Sequence, residues 1–473
     1  MDSHDAMLQK SGKDRRPSSI VITDDADAVR LAELGYTQVL SRKFSVWSLL
    51  GVGFSLTNSW FGLSAAMVTG INSGGTALII YGVIIVACVS VNIRENLSEK
   101  QELVLTLRHK TSVCFIVFWK YIARRIESGQ SDHHEEAASP SFAPARHQPD
   151  QLCVQKVVLL QQRQKALANP TFSVPSVTPA HKPASFVFAT FINNTGWNQP
   201  GIAFIVGLIN TNWPFCCLDC ATHLSEEVPR PERNIPIAIC GTVAIGFVTA
   251  WFFAVAMFFS LYGDFEQLVS TPTGVPILAL FYSALTGRSA QVAGAIVLES
   301  LILATGLGCQ IASHTWQSRL LWSFARDGGV PGSKFLAVTS EKLDVPLRAH
   351  LVSCALVAVV GSLYLGSYTA FNSMVTATIV LLYISYAVPI YSLLFVRGRN
   401  NIRHGPFWLG KIGMVANVVV LCWTVFTLVM YSFPYTMPVA PGNMNYVSAV
   451  YFAVSVIVAA DWILRGRKEY GHV

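Results

Sequence analysis

Residues 201–236 read GIAFIVGLINTNWPFCCLDCATHLSEEVPRPERNIP: an apolar run, a polar break, then a charged, proline-studded exit. In a chain dominated by membrane-length apolar stretches this order is a severe constraint. An unsatisfied backbone N–H or C=O in hydrocarbon costs several kcal/mol. A membrane helix is therefore interrupted only where the freed groups line a cavity or bind something. The feature implies a carrier rather than a generic membrane anchor.

Composition bears on the same point. Hydrophobic residues make up 52% and charged residues 13%, roughly half the charge of an ordinary soluble domain. The chain is polar through Lys43, so no cleavable signal peptide is expected and the first span directs insertion. In such a chain the formal charge of +7 belongs mostly to cytoplasmic loops, and no nucleic-acid partner is expected. The cysteines fall mainly in apolar stretches (Cys88, Cys240, Cys309, Cys354, Cys422), where a small hydrophobe is the default reading. Cys217 and Cys220 form a C-x-x-C with no βαβ pattern around it, so neither a redox nor a zinc role is expected. No Walker motif, kinase-like loop or nucleophile elbow occurs, and Gly328-Gly329 alone is no phosphate loop. No enzyme chemistry, cofactor or metal is implied.

Apolar runs able to cross about 30 Å of hydrocarbon fall near 44–68, 74–93, 201–222, 237–262, 290–316, 347–366, 372–396, 412–432 and 446–464. Basic residues orient them. Arg42 and Lys43 precede the first run, Arg230 and Arg233 follow the third, and Arg319, Arg326, Lys334, Lys342 and Arg348 follow the fifth. Arg397, Arg399, Arg403 and Lys411 follow the seventh, and Arg465, Arg467 and Lys468 the ninth. These ends, with both termini, are expected in the cytoplasm. The expected division is a cytoplasmic tail (1–43), two membrane helices (44–93), a polar atypical segment (94–185), seven membrane helices (186–464) and a cytoplasmic tail (465–473).

The alternation fails once. The second run should end inside and the third must start outside, so 94–185 needs an odd number of crossings. Its best apolar stretch, Val113–Trp119 between Lys110 and Lys120, is far too short. Either this is a true cytoplasmic loop and the span count is wrong, or spans have been lost from the coding region; the second reading is favoured.

Several separated segments carry a resemblance: LAELGYTQVLSRKFSVWSLLGVGFSLTNSW (31–60), LDCATHLSEEVPRPERNIPIAI (218–239), ASHTWQSRLLWSFARDGGVPGSKF (312–335), LDVPLRAH (343–350), LYLGSYTAFNSMVTATIVLLYISYAVPI (363–390) and FPYTMPVAPGNMNYVSAV (433–450). Together they resemble the fungal permeases of the amino acid–polyamine–organocation superfamily, in the branch with GABA and choline transporters. The resemblance covers about 31–93 and 186–467. It implies an all-α polytopic fold of twelve spans, with two five-helix inverted repeats and broken first and sixth helices. Laid against that pattern, this chain keeps helices one and two and resumes just before helix six. Losing helices three to five, an odd number, leaves about nine spans and accounts for the parity failure.

The candidate site residues follow from both readings. Gly51-Val52-Gly53-Phe54-Ser55 lies in the first run; glycine frees the backbone for an unwound turn, or packs helices closely. By resemblance, Gly51, Gly53 and Ser55 meet a polar substrate head there. Asn212-Trp213-Pro214 marks the second break, where Trp213 is either a cation–π face for an amine or an interfacial belt residue. Relatives often carry Gly two residues before the acidic position, where Cys217 stands here. Asp219 and His223 share one helical face, and an acid inside a span is a functional hypothesis, for a substrate cation or a proton. Glu226 and Glu227 are either solvated partners of Arg230 and Arg233 or an inner gate with Arg319 and Arg326. His314 either shuttles protons or satisfies a neighbouring helix. Of two sequons, Asn193-Asn194-Thr195 is expected outside and open to glycosylation, and Asn96-Leu97-Ser98 inside.

The expected function is secondary transport of a small amine-bearing solute (an amino acid, GABA or choline), coupled to protons, at the plasma membrane. Two rivals stand beside it: a truncated paralogue that transports nothing, and a carrier of an amine-like metabolite for a specialised pathway.

Overall fold

The computed structural model describes residues 27, 39–40, 42, 44–111, 169–340, 342–399 and 406–466, with backbone alone at 94–111 and 397. Most of the N-terminal tail, the Val113–Trp119 stretch and the chain beyond 466 lie outside the described residues. Among those described, the protein is helical, with one isolated β-bridge between Ser340 and Val345. Eight helices of 20–36 residues are long and apolar enough to cross a membrane.

The expected first span is a broken helix. Ser45 caps α1 (Val46–Thr57) by accepting from the Ser48 N–H at 3.2 Å. The helix stops at Asn58, which adopts the left-handed conformation at φ 30°, and α2 (Ser59–Ala65) follows. Neither piece alone reaches membrane length. Asparagine tolerates this conformation better than other non-glycine residues, so the interruption falls there. The unwound turn expected at Gly51–Gly53 is thereby corrected: both glycines lie inside regular α1. A helical glycine costs only about 1 kcal/mol, and a Cβ on Gly53 would collide with the Thr242 hydroxyl. Close packing is the role the structure gives it.

The second span, Met67–Ile93, belongs to α3 (Met67–Thr111), which kinks at Gly75. There φ 65° and ψ −149° suit only glycine, and a Cβ would meet the Thr190 carbonyl at 2.8 Å. Two short helices, α4 (Pro170–Val177) and α5 (Ala184–Ala189), lead into α6 (Pro200–Asn212). Long helices follow: α7 (Pro231–Phe259), then, after the short α8 (Phe265–Val269) and α9 (Pro276–Ala284), α10 (Gln291–Arg326). After α11 (Ser333–Leu336) come α12 (Leu347–Gly366), α13 (Tyr368–Tyr391), α14 (Gly410–Met430) and α15 (Val447–Asp461). Gly328-Gly329 ends α10: the Gly329 N–H reaches the Phe324 carbonyl at 2.8 Å, a helix cap.

The core lies where α1, α3, α6, α7 and α9 meet, around Leu49, Ile71, Leu78, Phe253, Phe258 and Phe281. The membrane windows of α12 and α15 are only 11% and 6% buried, and they turn Leu351, Leu356, Val359, Phe452 and Ile457 outward. An apolar exterior is what a helix facing lipid requires.

Loops sort to two poles. At one, Asp27 pairs with Arg42 at 2.9 Å and accepts from the Arg230 N–H, the Phe44 N–H donates to the Glu227 carbonyl, and Arg465 donates to the Gly328 carbonyl. This is the basic pole. At the other, Met437 N–H donates to Thr195, Trp197 Nε1 to Pro434, Lys182 N–H to Phe259 and Arg288 to Val177. α3 starts at this second pole, where the Thr76 hydroxyl donates to the Phe186 carbonyl at 2.9 Å. It runs toward the basic pole, where Ile93 packs with Phe44, Leu224 and Val228. Ile93 thus lies at the basic pole and Val177 of α4 at the other. The crossing parity expected of 94–185 falls largely on residues outside those described.

Candidate functional site

The second interruption sits at the end of α6. Pro214 has no N–H to donate, and α6 gives way to a 3-10 turn over Trp213–Phe215. Cys216 is extended, and Cys217 is left-handed at φ 58°. The chain then continues as a ten-residue 3-10 segment, Leu218–Glu227. That is long for this tighter helix, which within a helical path often marks a hinge. The geometry explains why glycine suits position 217: a side chain there costs about 1 kcal/mol or more, and this chain carries cysteine.

The two breaks touch. A Cβ on Gly62 of α2 would lie 3.1 Å from Pro214 N and 3.2 Å from the Trp213 carbonyl carbon, so the backbones pack face to face. Asn210 Nδ2 donates to the Leu63 carbonyl at 3.4 Å, and Cys309 of α10 approaches the Leu56 carbonyl at 3.6 Å. Asn58 itself is 2% exposed, and neither its Oδ1 nor its Nδ2 has a hydrogen-bond partner. A buried carboxamide left unmatched on both atoms is costly, and it suits a polar guest.

Side chains gather on the α6 break from α13 and α14. Tyr383 donates to Asn212 Oδ1 at 2.6 Å, and Asn212 Nδ2 donates to the Leu208 carbonyl and to Tyr431. One turn along, Tyr386 donates to Asp219 Oδ1 at 2.9 Å, while His223 Nε2 meets Asp219 Oδ2 at 3.1 Å. The His223 ring stacks on Trp316 at 5.7 Å, and Trp423 lies edge-on to Tyr383. Asp219 is buried, and its carboxylate is held by the Tyr386 hydroxyl and the His223 ring. At the second pole Tyr435 bonds Thr376; burial pushes its phenol up to about 12. It therefore stays neutral, and pH sensitivity near neutrality has to come from elsewhere.

Toward the basic pole the 3-10 segment is clamped to α10 by two forked ion pairs. Arg319 reaches Glu227 at 2.8 and 3.4 Å, and Arg326 reaches Glu226 at 2.8 and 3.2 Å. Glu227 is 1% exposed, and Arg326 also lies over the Trp322 ring. Of the alternatives left by the sequence, the solvated caps are displaced by the inner pairs.

Other expected residues fall elsewhere. Trp213 is half-buried at the break; Gly51, Gly53 and Ser55 lie in α1 on the basic side of Asn58. His314 is far along α10, against His350 and Cys354 of α12. Asn193 sits at the second pole in a turn, donating to the Trp197 carbonyl and accepting from Thr195. A cleft of about 640 Å³ at that pole, lined by Leu261, Tyr262, Asp264, Gln267 and Tyr282, holds none of the expected residues. Sequence reasoning missed Asn58, Gly62, Tyr383 and Tyr386. The Tyr-x-x-Tyr spacing in an apolar run was the available signal.

The ion pairs yield a prediction. Removing one partner of a buried pair strands the other charge at a cost of roughly 3–5 kcal/mol. Glu227→Gln should therefore lower the thermal midpoint of the detergent-purified protein sharply, and Glu227→Met with Arg319→Met should recover most of the loss. A single variant as stable as the parent would remove the clamp from the account.

Comparisons with known proteins agree with this architecture. The amino acid permease family matches residues 162–455, so the likeness begins earlier than the expected 186 and takes in α4 and α5. The chain is 41% identical to the choline transporter of Saccharomyces cerevisiae, over 94% of this chain and 85% of that protein. It is 31% identical to the 7-keto 8-aminopelargonic acid transporter of the same yeast, over 93% and 95%. It is also 31% identical to the swainsonine transporter of Arthroderma benhamiae, over 92% and 93%. With eight membrane-length helices and paired helix breaks among the described residues, this multi-pass membrane chain belongs to the amino acid permease family, in the fungal branch of the amino acid–polyamine–organocation superfamily.

Proposed function

We propose that this protein is a secondary carrier, without enzyme chemistry, whose substrate is a small cationic or zwitterionic amine bound between the two helix breaks. The observation that carries this reading is Asp219: a buried carboxylate at a broken helix, held by Tyr386 and His223 among aromatic rings. A carboxylate attracts an ammonium, and ring faces attract it further by about 0.5–2 kcal/mol. Choline, 7-keto 8-aminopelargonic acid and swainsonine, the cargoes in the relatives' names, each contain a basic or quaternary nitrogen. Swainsonine also keeps in view a carrier serving a specialised pathway.

Coupling follows from the same pair. His223 holds Asp219 in the empty site, and an arriving ammonium takes its place on the carboxylate. The forked pairs of Glu226 and Glu227 with Arg326 and Arg319 support reading this end as the inner gate. We place the basic pole in the cytoplasm and the carrier in the plasma membrane. The orientation is read out by Asn193: an endoglycosidase-sensitive mobility shift, lost in Asn193→Gln, is expected, and a shift that follows Asn96 instead would invert the topology.

We further propose that family helices three to five are absent. Supporting this, the alignment with the yeast choline transporter runs over 489 residues and that with the 7-keto 8-aminopelargonic acid transporter over 543, both longer than this 473-residue chain. In the broken-helix fold those helices pack beside the first and sixth and complete a rocking repeat. This chain expressed alone should give little or no saturable uptake of radiolabelled choline or GABA, and a version with the three spans restored should take one of them up. In the restored form Asp219→Asn should lose most uptake or its pH dependence. Comparable uptake by the 473-residue chain would overturn the missing-helix reading, and unaltered Asp219→Asn uptake would overturn the site.

A further inference from the structure

His314 on α10 and His350 and Cys354 on α12 meet at the interface of the two helices. His350 and Cys354, four residues apart, share one face of α12. The Cys354 sulfur lies 3.6 Å from His314 Nδ1 and 3.7 Å from His350 Nε2. All three donor atoms fall within 4.8 Å of one another, and all three residues are half-buried. With Zn–S of about 2.3 Å and Zn–N of about 2.0–2.1 Å, two ligands on a tetrahedral ion stand about 3.5 Å apart. The observed spacing is thus close to that of a set awaiting its ion.

An outer partner is within reach. Gln310, one turn before His314, places its amide Nε2 3.0 Å from His314 Nε2. Flipping that amide about its last torsion brings the oxygen to accept the Nε2 proton and frees Nδ1 to ligate, the arrangement that orients most metal-bound histidines. The ligands come from two helices forty residues apart, so no spacing motif reveals them in the sequence, and Cys354 reads there as a small hydrophobe.

We propose that His314, His350 and Cys354 form a binding site for a thiophilic divalent transition metal, zinc foremost, with a fourth position open to water. Binding converts the Cys354 thiol to a thiolate, its proton passing to solvent, and both imidazoles ligate as neutral bases. An ion there staples α12 to α10, the helix that carries Arg319 and Arg326. The site is independent of the transport reading.

The test uses the full chain in detergent, titrated first with Co²⁺ and then with Zn²⁺. One equivalent of cobalt should give a thiolate charge-transfer band with tetrahedral visible bands, and zinc should displace them. Cys354→Ser should abolish the charge-transfer band, while Cys217→Ser with Cys220→Ser should leave it intact. Gln310 is exposed, so Gln310→Ala should fold and weaken binding roughly 10–100-fold, as losses in the outer shell of a metal site do. Absence of a thiolate band in the unaltered chain, or a band that survives Cys354→Ser, would reduce the cluster to thiol–imidazole hydrogen bonds.

Discussion

Interrupting α6 between Asn212 and Leu218 frees backbone groups in the middle of a low-dielectric bundle, and the rest of the structure is arranged around satisfying them. Asn212 is held between Tyr383 and Tyr431, Cys216 Sγ approaches the Asn212 carbonyl at 3.3 Å, and the Cys220 N–H returns to the Cys217 carbonyl. Gly62 lets the broken first helix lie directly on this turn. Each of these contacts is dispensable in a continuous helix. Their presence together shows a break that the fold sustains rather than tolerates.

The break also sets the electrostatics. A 3-10 path from Leu218 to Glu227 delivers three acids to two kinds of surroundings: Asp219 to Tyr386 and His223, Glu226 and Glu227 to the arginines of α10. The outer two are matched by forked guanidinium contacts, which are strong and directional. Among the described side chains, Asp219 is met by a phenol and an imidazole. That asymmetry is what the proposed function rests on: the outer acids are read as a clamp and the carboxylate nearest the break as the binding position.

Much of this was legible in the sequence because membranes enforce simple rules. Apolar length marked the spans after the first, arginine placement marked one pole, and Trp213-Pro214 marked the start of the second break, whose corner falls at Cys216 and Cys217. The first break was misplaced because glycine permits unwinding without requiring it: Gly53 is used for contact with α7, and Asn58 takes the turn. The tyrosines of α13 were hidden for a different reason. A tyrosine in an apolar run reads as core or interface, and only the packing of α13 on the 3-10 segment aims Tyr383 and Tyr386 at Asn212 and Asp219.

The central claim is that the turn at Cys217, beside Asp219, is where an amine binds. Cys217 is partly accessible and lies at the left-handed corner of the break. Its alkylation rate by a small thiol reagent, followed by mass spectrometry on the purified chain, reports occupancy directly. Choline or another small ammonium at saturating concentration is predicted to slow modification of Cys217 and to leave the remote Cys88 unchanged. A Cys217 rate indifferent to every such amine, or protection equal at Cys88, would contradict the account.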